Sequence, residues 1–215
     1  MMNEKLNQVE AYAKEEMAGD YSGHDYDHID RVVNMVLKLL TYEPANGEIA
    51  LTAAYLHDVF DDKLCADPVS KKQLVQEKLV SFGYDEMEID AVFAIIERMS
   101  FANNIDEKQE LSKEGKIVQD ADRLDSIGAI GIARAFAYGA THQTKMFDPK
   151  LRPRTNLSRA EYRDVKESTT INHFYEKLFL VADEMNTRTA QRIAYERKVY
   201  MKRFVEEFKD EWNEL

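Results

Sequence analysis

The chain has 215 residues, 44% of them hydrophobic and 32% charged, with 29 Lys+Arg against 40 Asp+Glu for a formal charge of −11. At about 150 residues per domain this is one or two domains, and one large domain is the simpler expectation. The acidic excess argues against binding to nucleic acid or to an anionic membrane, which both need a basic face, but admits a small phosphorylated substrate held through a cation.

In chain order, Met1–Asp20 is acidic and amphipathic and lacks the apolar core of a signal peptide. No later run approaches the roughly 18 apolar residues of a membrane span, so a soluble cytoplasmic protein is expected. Over Asp30–Thr41 the spacing of Val32, Val33, Val36, Leu37 and Leu40 predicts a helix with one apolar stripe. Pro44 and Gly47 separate it from a second helix, whose stripe includes Ile49, Ala53 and Leu56 and which ends at His57-Asp58. Cys65 is the single cysteine, which excludes an internal disulfide. Asp67-Pro68 reads as an N-cap followed by proline at the first helical position. Asp85-Glu86-Met87-Glu88 reads as a capping box ahead of Ile89, Val92, Phe93 and Ile96. Pro149 and Pro153 fall in an irregular stretch, 139–157, too long to be a bland connector and read as a candidate flap. Ser158–Glu161 forms another capping box, opening a helical stretch through about Met185, and a last helix runs from about Thr189 to Trp212. No alternating strand pattern stands out. The expectation is an all-α single domain of eight or nine helices over 1–215, with a metal-site core over about 20–135, the loop over 139–157 and C-terminal helices over 158–213.

Histidine is scarce, and three of the five lie in two acid-rich segments, Gly23-His24-Asp25-Tyr26-Asp27-His28 and His57-Asp58-Val59-Phe60-Asp61-Asp62-Lys63. A third segment, Asp120-Ala121-Asp122-Arg123-Leu124-Asp125, carries acids without histidine. Asp58 and Asp122 each border an apolar stripe, where an unpaired carboxylate is costly. A divalent cation is one partner that serves several such groups at once, and two imidazoles with two carboxylates suit a transition metal. Any one of these residues alone reads equally as an exposed helix end or a surface ion pair; it is the joint pattern that points to a metal.

That pattern, His28…His57-Asp58…Asp122, resembles the signature of the HD-domain metal-dependent phosphohydrolases. The wording around it, with His-Phe-Tyr-Glu-Lys-Leu at 173–178, is similar to the small bacterial YpgQ-like HD hydrolases over about residues 20–210. The resemblance implies an all-α fold and one divalent cation, sometimes two, held by His28, His57, Asp58 and Asp122. It also implies hydrolysis of (deoxy)nucleoside triphosphates to monophosphate and pyrophosphate with a manganese-type ion; Mg2+, Fe2+, Co2+ and Ni2+ are the alternatives. Such an ion would polarise a phosphoryl oxygen and lower the pKa of water beside it.

The remaining roles follow from that frame. Asp61, three residues after Asp58 and on its face if the helix continues, is the first candidate for general base. Asp62 is the second, and Lys63 follows as a cation for phosphate. His24 and Asp25 are candidates for orienting a ligand imidazole or binding substrate. His173 and Lys177, four apart on one helix face, suit phosphate oxygens. Arg123 reaches phosphate or pairs with a carboxylate. Arg152 and Arg154, with His142 and Lys145 nearer the start of the loop, would make the flap face phosphate. Asp125 joins Asp61 and Asp62 as an acid for a second ion. A phosphomonoesterase acting on nucleoside monophosphates, a cyclic-nucleotide phosphodiesterase and a non-hydrolytic sensor of metal and nucleotide are the competing expectations. The partner in every case is a small nucleotide, with no nucleic acid or membrane and with a homodimer as one assembly.

Overall fold

The computed structural model describes residues 4–18, 26–59, 67–100, 104, 108–155 and 168–213. Among these the regular structure is helical, as the sequence pattern predicts. The helices are α1 Glu4–Glu16, α2 Tyr26–Leu40, α3 Gly47–Leu56, α4 Pro68–Ser81, α5 Glu86–Met99, α6 Lys113–Asp125 and α7 Gly128–Thr141. A continuous helical rod follows: α8 Thr170–His173, a π-turn Phe174–Leu178 and α9 Phe179–Asp183; α10 Arg188–Asn213 ends the series. By internal packing the chain falls into two compact units, residues 1–104 with 109–121 and residues 105–108 with 122–215.

In the first unit α3 is the hub, packing against α1, α2 and α5. Every residue from Ile49 to Leu56 is buried, which is what a helix apolar all round requires. Asn46 caps it by accepting from the Glu48 and Ile49 amides. On α2 the buried stripe is Ile29, Val32, Val33, Val36 and Leu39. Leu37, expected in that stripe, is 41% exposed, because the stripe turns toward the Leu39 side of the helix. Both caps expected in this unit are present: Asp67 accepts from the Ser70 amide, and Asp85 and Glu88 form a reciprocal box.

In the second unit α10 lies against α7 and α9. Phe136, Phe174, Phe204 and Phe208 form its aromatic centre, with ring centroids about 6 Å apart. Gly128, at φ +77°, breaks the chain direction between α6 and α7. Beyond that break Ile130 is 46% exposed, while Ile127 just before it is buried. Gly131 excludes any side chain, since a Cβ there would lie 2.2 Å from the Ser126 carbonyl oxygen.

Candidate metal centre

His28 stands in the first turn of α2, while His57 caps the C-terminus of α3 with Asp58 in the turn that follows. The apolar helix α3 draws its own end inward, so His57 and Asp58 are 7% and 6% exposed, and His28 is 1% exposed. Buried groups of this kind need partners. Here they face one another. The Nε2 atoms of His28 and His57 are 3.1 Å apart. Each Nε2 lies 3.6 Å from an Asp58 carboxylate oxygen. One donor atom from each residue falls within 4.8 Å of the others.

The tautomer of His57 is set by its other nitrogen. Nδ1 lies 2.8 Å from the Ala54 carbonyl oxygen, which only accepts, so Nδ1 carries a proton, and in the neutral imidazole Nε2 is the nitrogen that presents a lone pair. That is the backbone hydrogen bond that orients a ligand imidazole. Ligand atoms bonded to a common ion at about 2.1 Å are about 3.0 Å apart at right angles and about 3.6 Å apart near 120°. The separations of 3.1 and 3.6 Å therefore fit one shared cation. Two neutral imidazoles and a carboxylate favour a transition metal over calcium or magnesium.

The other expected site residues have several placements. Asp122 is half-buried on the last turn of α6. Beside it Arg123, 4% exposed, donates from Nη1 to the Glu184 carbonyl at 2.7 Å and brings Nη2 to 3.7 Å from the Glu184 carboxylate. Asp125 is buried and paired with Arg134 at 2.6 Å, an arrangement that an ion would have to displace. Helix α3 ends at Leu56 and residues 57–59 form a turn, so the condition that would carry Asp61 onto the face of Asp58 is not met there. Asp61, Asp62, Lys63, His24 and Asp25 lie outside the described residues, as does the capping box at 158–161.

In the second unit, helix α7 runs on to Thr141, so the irregular stretch begins later than expected. It is also tied down. The amides of Thr170 and Ile171 donate to the carbonyls of Lys145 and Met146, and Asn172 Nδ2 donates to the Leu151 carbonyl. Lys145 pairs with Asp148 at 2.9 Å, His142 stacks on Tyr138 and Arg152 is exposed. Burial pushes the His173 imidazole down to about 3, with the Lys177 ammonium and Arg154 acting the same way and the Glu176 carboxylate opposing them, so the neutral ring is favoured at physiological pH. It donates to an oxygen only through a neutral N–H.

Sequence reasoning passed over Glu176, which reads as one charge on a solvated face. It is buried and accepts four hydrogen bonds. The π-turn that turns it inward carries no sequence mark, because the Phe-Tyr-Glu-Lys-Leu segment satisfies an ordinary helical pattern equally well.

The HD domain family matches residues 25–127, the span that holds the triad. The Bacillus subtilis protein YpgQ is 36% identical over 202 residues, covering 94% of this chain and 90% of its own length. A crystal structure of YpgQ in complex with ADP superposes with a TM-score of 0.77 at 32% identity, covering 97% of this chain and 98% of that one. A Lactobacillus plantarum structure gives a TM-score of 0.88 at 44% identity over 99% of both chains. An HD-superfamily hydrolase from Bacillus thuringiensis gives 0.76 at 39% identity, covering 99% of this chain and 98% of that one. With its two histidines and adjacent aspartate converging as they do, the chain belongs to the HD-domain family, among the YpgQ-like proteins.

Proposed function

We propose that the protein is a divalent-metal-dependent phosphohydrolase that cleaves (deoxy)nucleoside triphosphates to the monophosphate and pyrophosphate. The convergence of His28 Nε2, His57 Nε2 and Asp58 on one point carries this reading. Relatives described as HD-superfamily hydrolase and as YpgQ bound to ADP support a hydrolase and a nucleotide ligand respectively. Asp122 joins the three as the fourth ligand on the strength of the sequence signature. A bound manganese-type ion supplies charge to the phosphoryl oxygens and makes water a competent nucleophile at neutral pH.

The chain's own residues supply the rest. The Ala54 carbonyl holds His57 in the Nδ1–H tautomer, so its Nε2 stays a lone-pair donor through the cycle. Asp61, with Asp62 as second choice, takes the proton of the attacking water. Lys63, His24, Asp25 and Arg152 are assigned to substrate from the sequence alone, while Arg123 takes the other role the sequence offered and pairs with Glu184. Lys177 as a cation and His173 as a neutral N–H donor meet phosphate oxygens, where charge spreads in the transition state.

The test is product analysis. Metal-stripped protein is supplied with manganese and a panel of nucleoside mono-, di- and triphosphates and cyclic nucleotides, and the products are separated by chromatography. Monophosphate plus pyrophosphate from a triphosphate is expected. Inorganic phosphate alone would replace this reading with a phosphomonoesterase, and opening of a cyclic nucleotide with a phosphodiesterase. Stoichiometric nucleotide binding without product would leave a sensor.

A further inference from the structure

The chain on either side of residues 156–167 converges on one carboxylate. Arg154 donates its backbone amide to Glu176 Oε1 at 2.9 Å and its Nε to the same oxygen at 3.2 Å. Its Nη2 donates to Oε2 at 2.9 Å. Ser168 Oγ donates to Oε2, also at 2.9 Å. A buried carboxylate is costly unless its lone pairs are met, and here both oxygens are met twice. Burial works to raise the Glu176 carboxyl, but the bonds from Arg154 and Ser168 outweigh it and hold the group below the usual carboxylate range.

The backbone makes this arrangement possible. Between Phe174 and Leu178 the helix widens into a π-turn, closed by the Phe179 amide donating to the Phe174 carbonyl, and such insertions occur often at functional sites. In this turn Phe174, Glu176 and Leu178 all face inward. Lys177 stays beside His173, near enough for its ammonium to weigh on the imidazole. Arg154, read from the sequence as a phosphate-facing cation, is instead committed to Glu176 by its Nε, Nη2 and backbone amide.

We propose that Glu176 is a positioning residue: by binding Arg154 and Ser168 to the π-turn it fixes where His173 and Lys177 present their N–H groups to a substrate phosphate. This rests on the reading of His173 and Lys177 as substrate contacts. Glu176 itself touches no substrate.

The experiment compares wild type, Glu176→Gln, Ser168→Ala, Lys177→Ala and the Glu176→Gln/Lys177→Ala double variant in the full-length, manganese-loaded protein. Pyrophosphate binding is read by calorimetry, and kcat and KM by turnover. Glu176→Gln keeps shape and one acceptor oxygen while removing the charge; Ser168→Ala removes a single hydrogen bond and strands no charge, so a folding failure in the first leaves the second informative. The expected result is roughly tenfold weaker pyrophosphate binding and a matching rise in KM for Glu176→Gln, the scale of one charge-assisted bond. A smaller change of the same kind is expected for Ser168→Ala, with kcat changing less than KM in both. Because Glu176 acts through His173 and Lys177 together, the loss in the double variant should be smaller than the sum of the two single losses. Equal pyrophosphate binding in wild type and Glu176→Gln overturns the proposal whatever the turnover, and so do fully additive losses. A wild type that hydrolyses no nucleotide, yet binds pyrophosphate and loses it in Glu176→Gln, keeps the positioning role and removes the proposed reaction.

Discussion

Two buried polar clusters of this protein solve the same electrostatic problem in opposite ways. Around Glu176 the solution is internal: an arginine and a serine meet both carboxylate oxygens within hydrogen-bond distance. Around Asp58 two imidazole Nε2 atoms stand 3.6 Å from its carboxylate oxygens and 3.1 Å from each other. The first cluster meets its charge with hydrogen-bond donors of the chain, and the second brings its donor atoms to the spacing of ligands around a cation. Burial of charge is common to both. What separates a structural cluster from a metal centre is where the donor protons and lone pairs point.

The largest expected effect tests the metal centre. Asp58→Ala should abolish manganese retention and reduce turnover by at least about 10³-fold, since the ion supplies the nucleophile. Its helical circular dichroism should match wild type. Full activity in this variant would remove the proposed site.

The opposite profile is expected at the internal cluster. Glu176→Ala strands the Arg154 guanidinium, and breaking a buried pair costs about 3 kcal/mol of folding stability. Denaturant unfolding should show this with or without manganese. A stability change under 1 kcal/mol would mean that the four hydrogen bonds to Glu176 add little to the fold, and would blur the contrast drawn above.

Metal linkage sharpens the same comparison. Manganese at about a hundred times its Kd should stabilise wild type by about 2.7 kcal/mol, a rise in Tm of several degrees. Glu176→Gln should show the same increment and Asp58→Ala none. An equal increment in all three would place the ion elsewhere.

A subtler test uses acid. The folded His173 imidazole titrates near 3 against an ordinary 6.5, so between those values the unfolded chain binds the extra proton. Stability should therefore fall as pH drops from 6.5 toward 3. Replacing His173 by Gln should flatten that part of the curve. Glu176 is depressed from its ordinary 4.5, so its contribution is present above 4.5 and is lost below it. Its removal should alter the more acid limb most, and should also depress the His173 imidazole further, because the Glu176 carboxylate favours the protonated ring. Chemical denaturation across pH 3 to 8 separates the two windows.

Much of this was legible in the residues. The caps at Asp67 and Asp85, the breaker at Pro44 and the apolar stripe of α3 are local physics, and each appears where the pattern put it, whereas Gly47, read with Pro44 as a separator, is the first residue of α3. The candidate triad of His28, His57 and Asp58 was legible because imidazole and carboxylate at the ends of apolar helices are chemically out of place. The Glu176 cluster was not, because its meaning depends on partners 22 and 8 residues away and on a π-turn that no residue type encodes. Leu37 failed for a related reason: a stripe counted along the sequence cannot see which side a neighbouring helix takes.

The smallest prediction concerns where the tied-down loop begins. Helix α7 closes with the Thr144 amide donating to the Gly139 carbonyl at 2.8 Å, five residues back, and Gln143 occupies the left-handed position at φ 55°. Glycine is the usual residue there because a side chain in that conformation costs about 1 kcal/mol. Gln143→Gly should remove that cost, while the greater freedom of glycine in the unfolded chain takes back part of the gain. A net stabilisation of about 0.5 kcal/mol is expected, with manganese binding unchanged. Should the variant instead lose stability, the exposed Gln143 side chain must be contributing a contact of its own, and the register of the loop that leads to Arg154 would depend on it rather than on the helix closure.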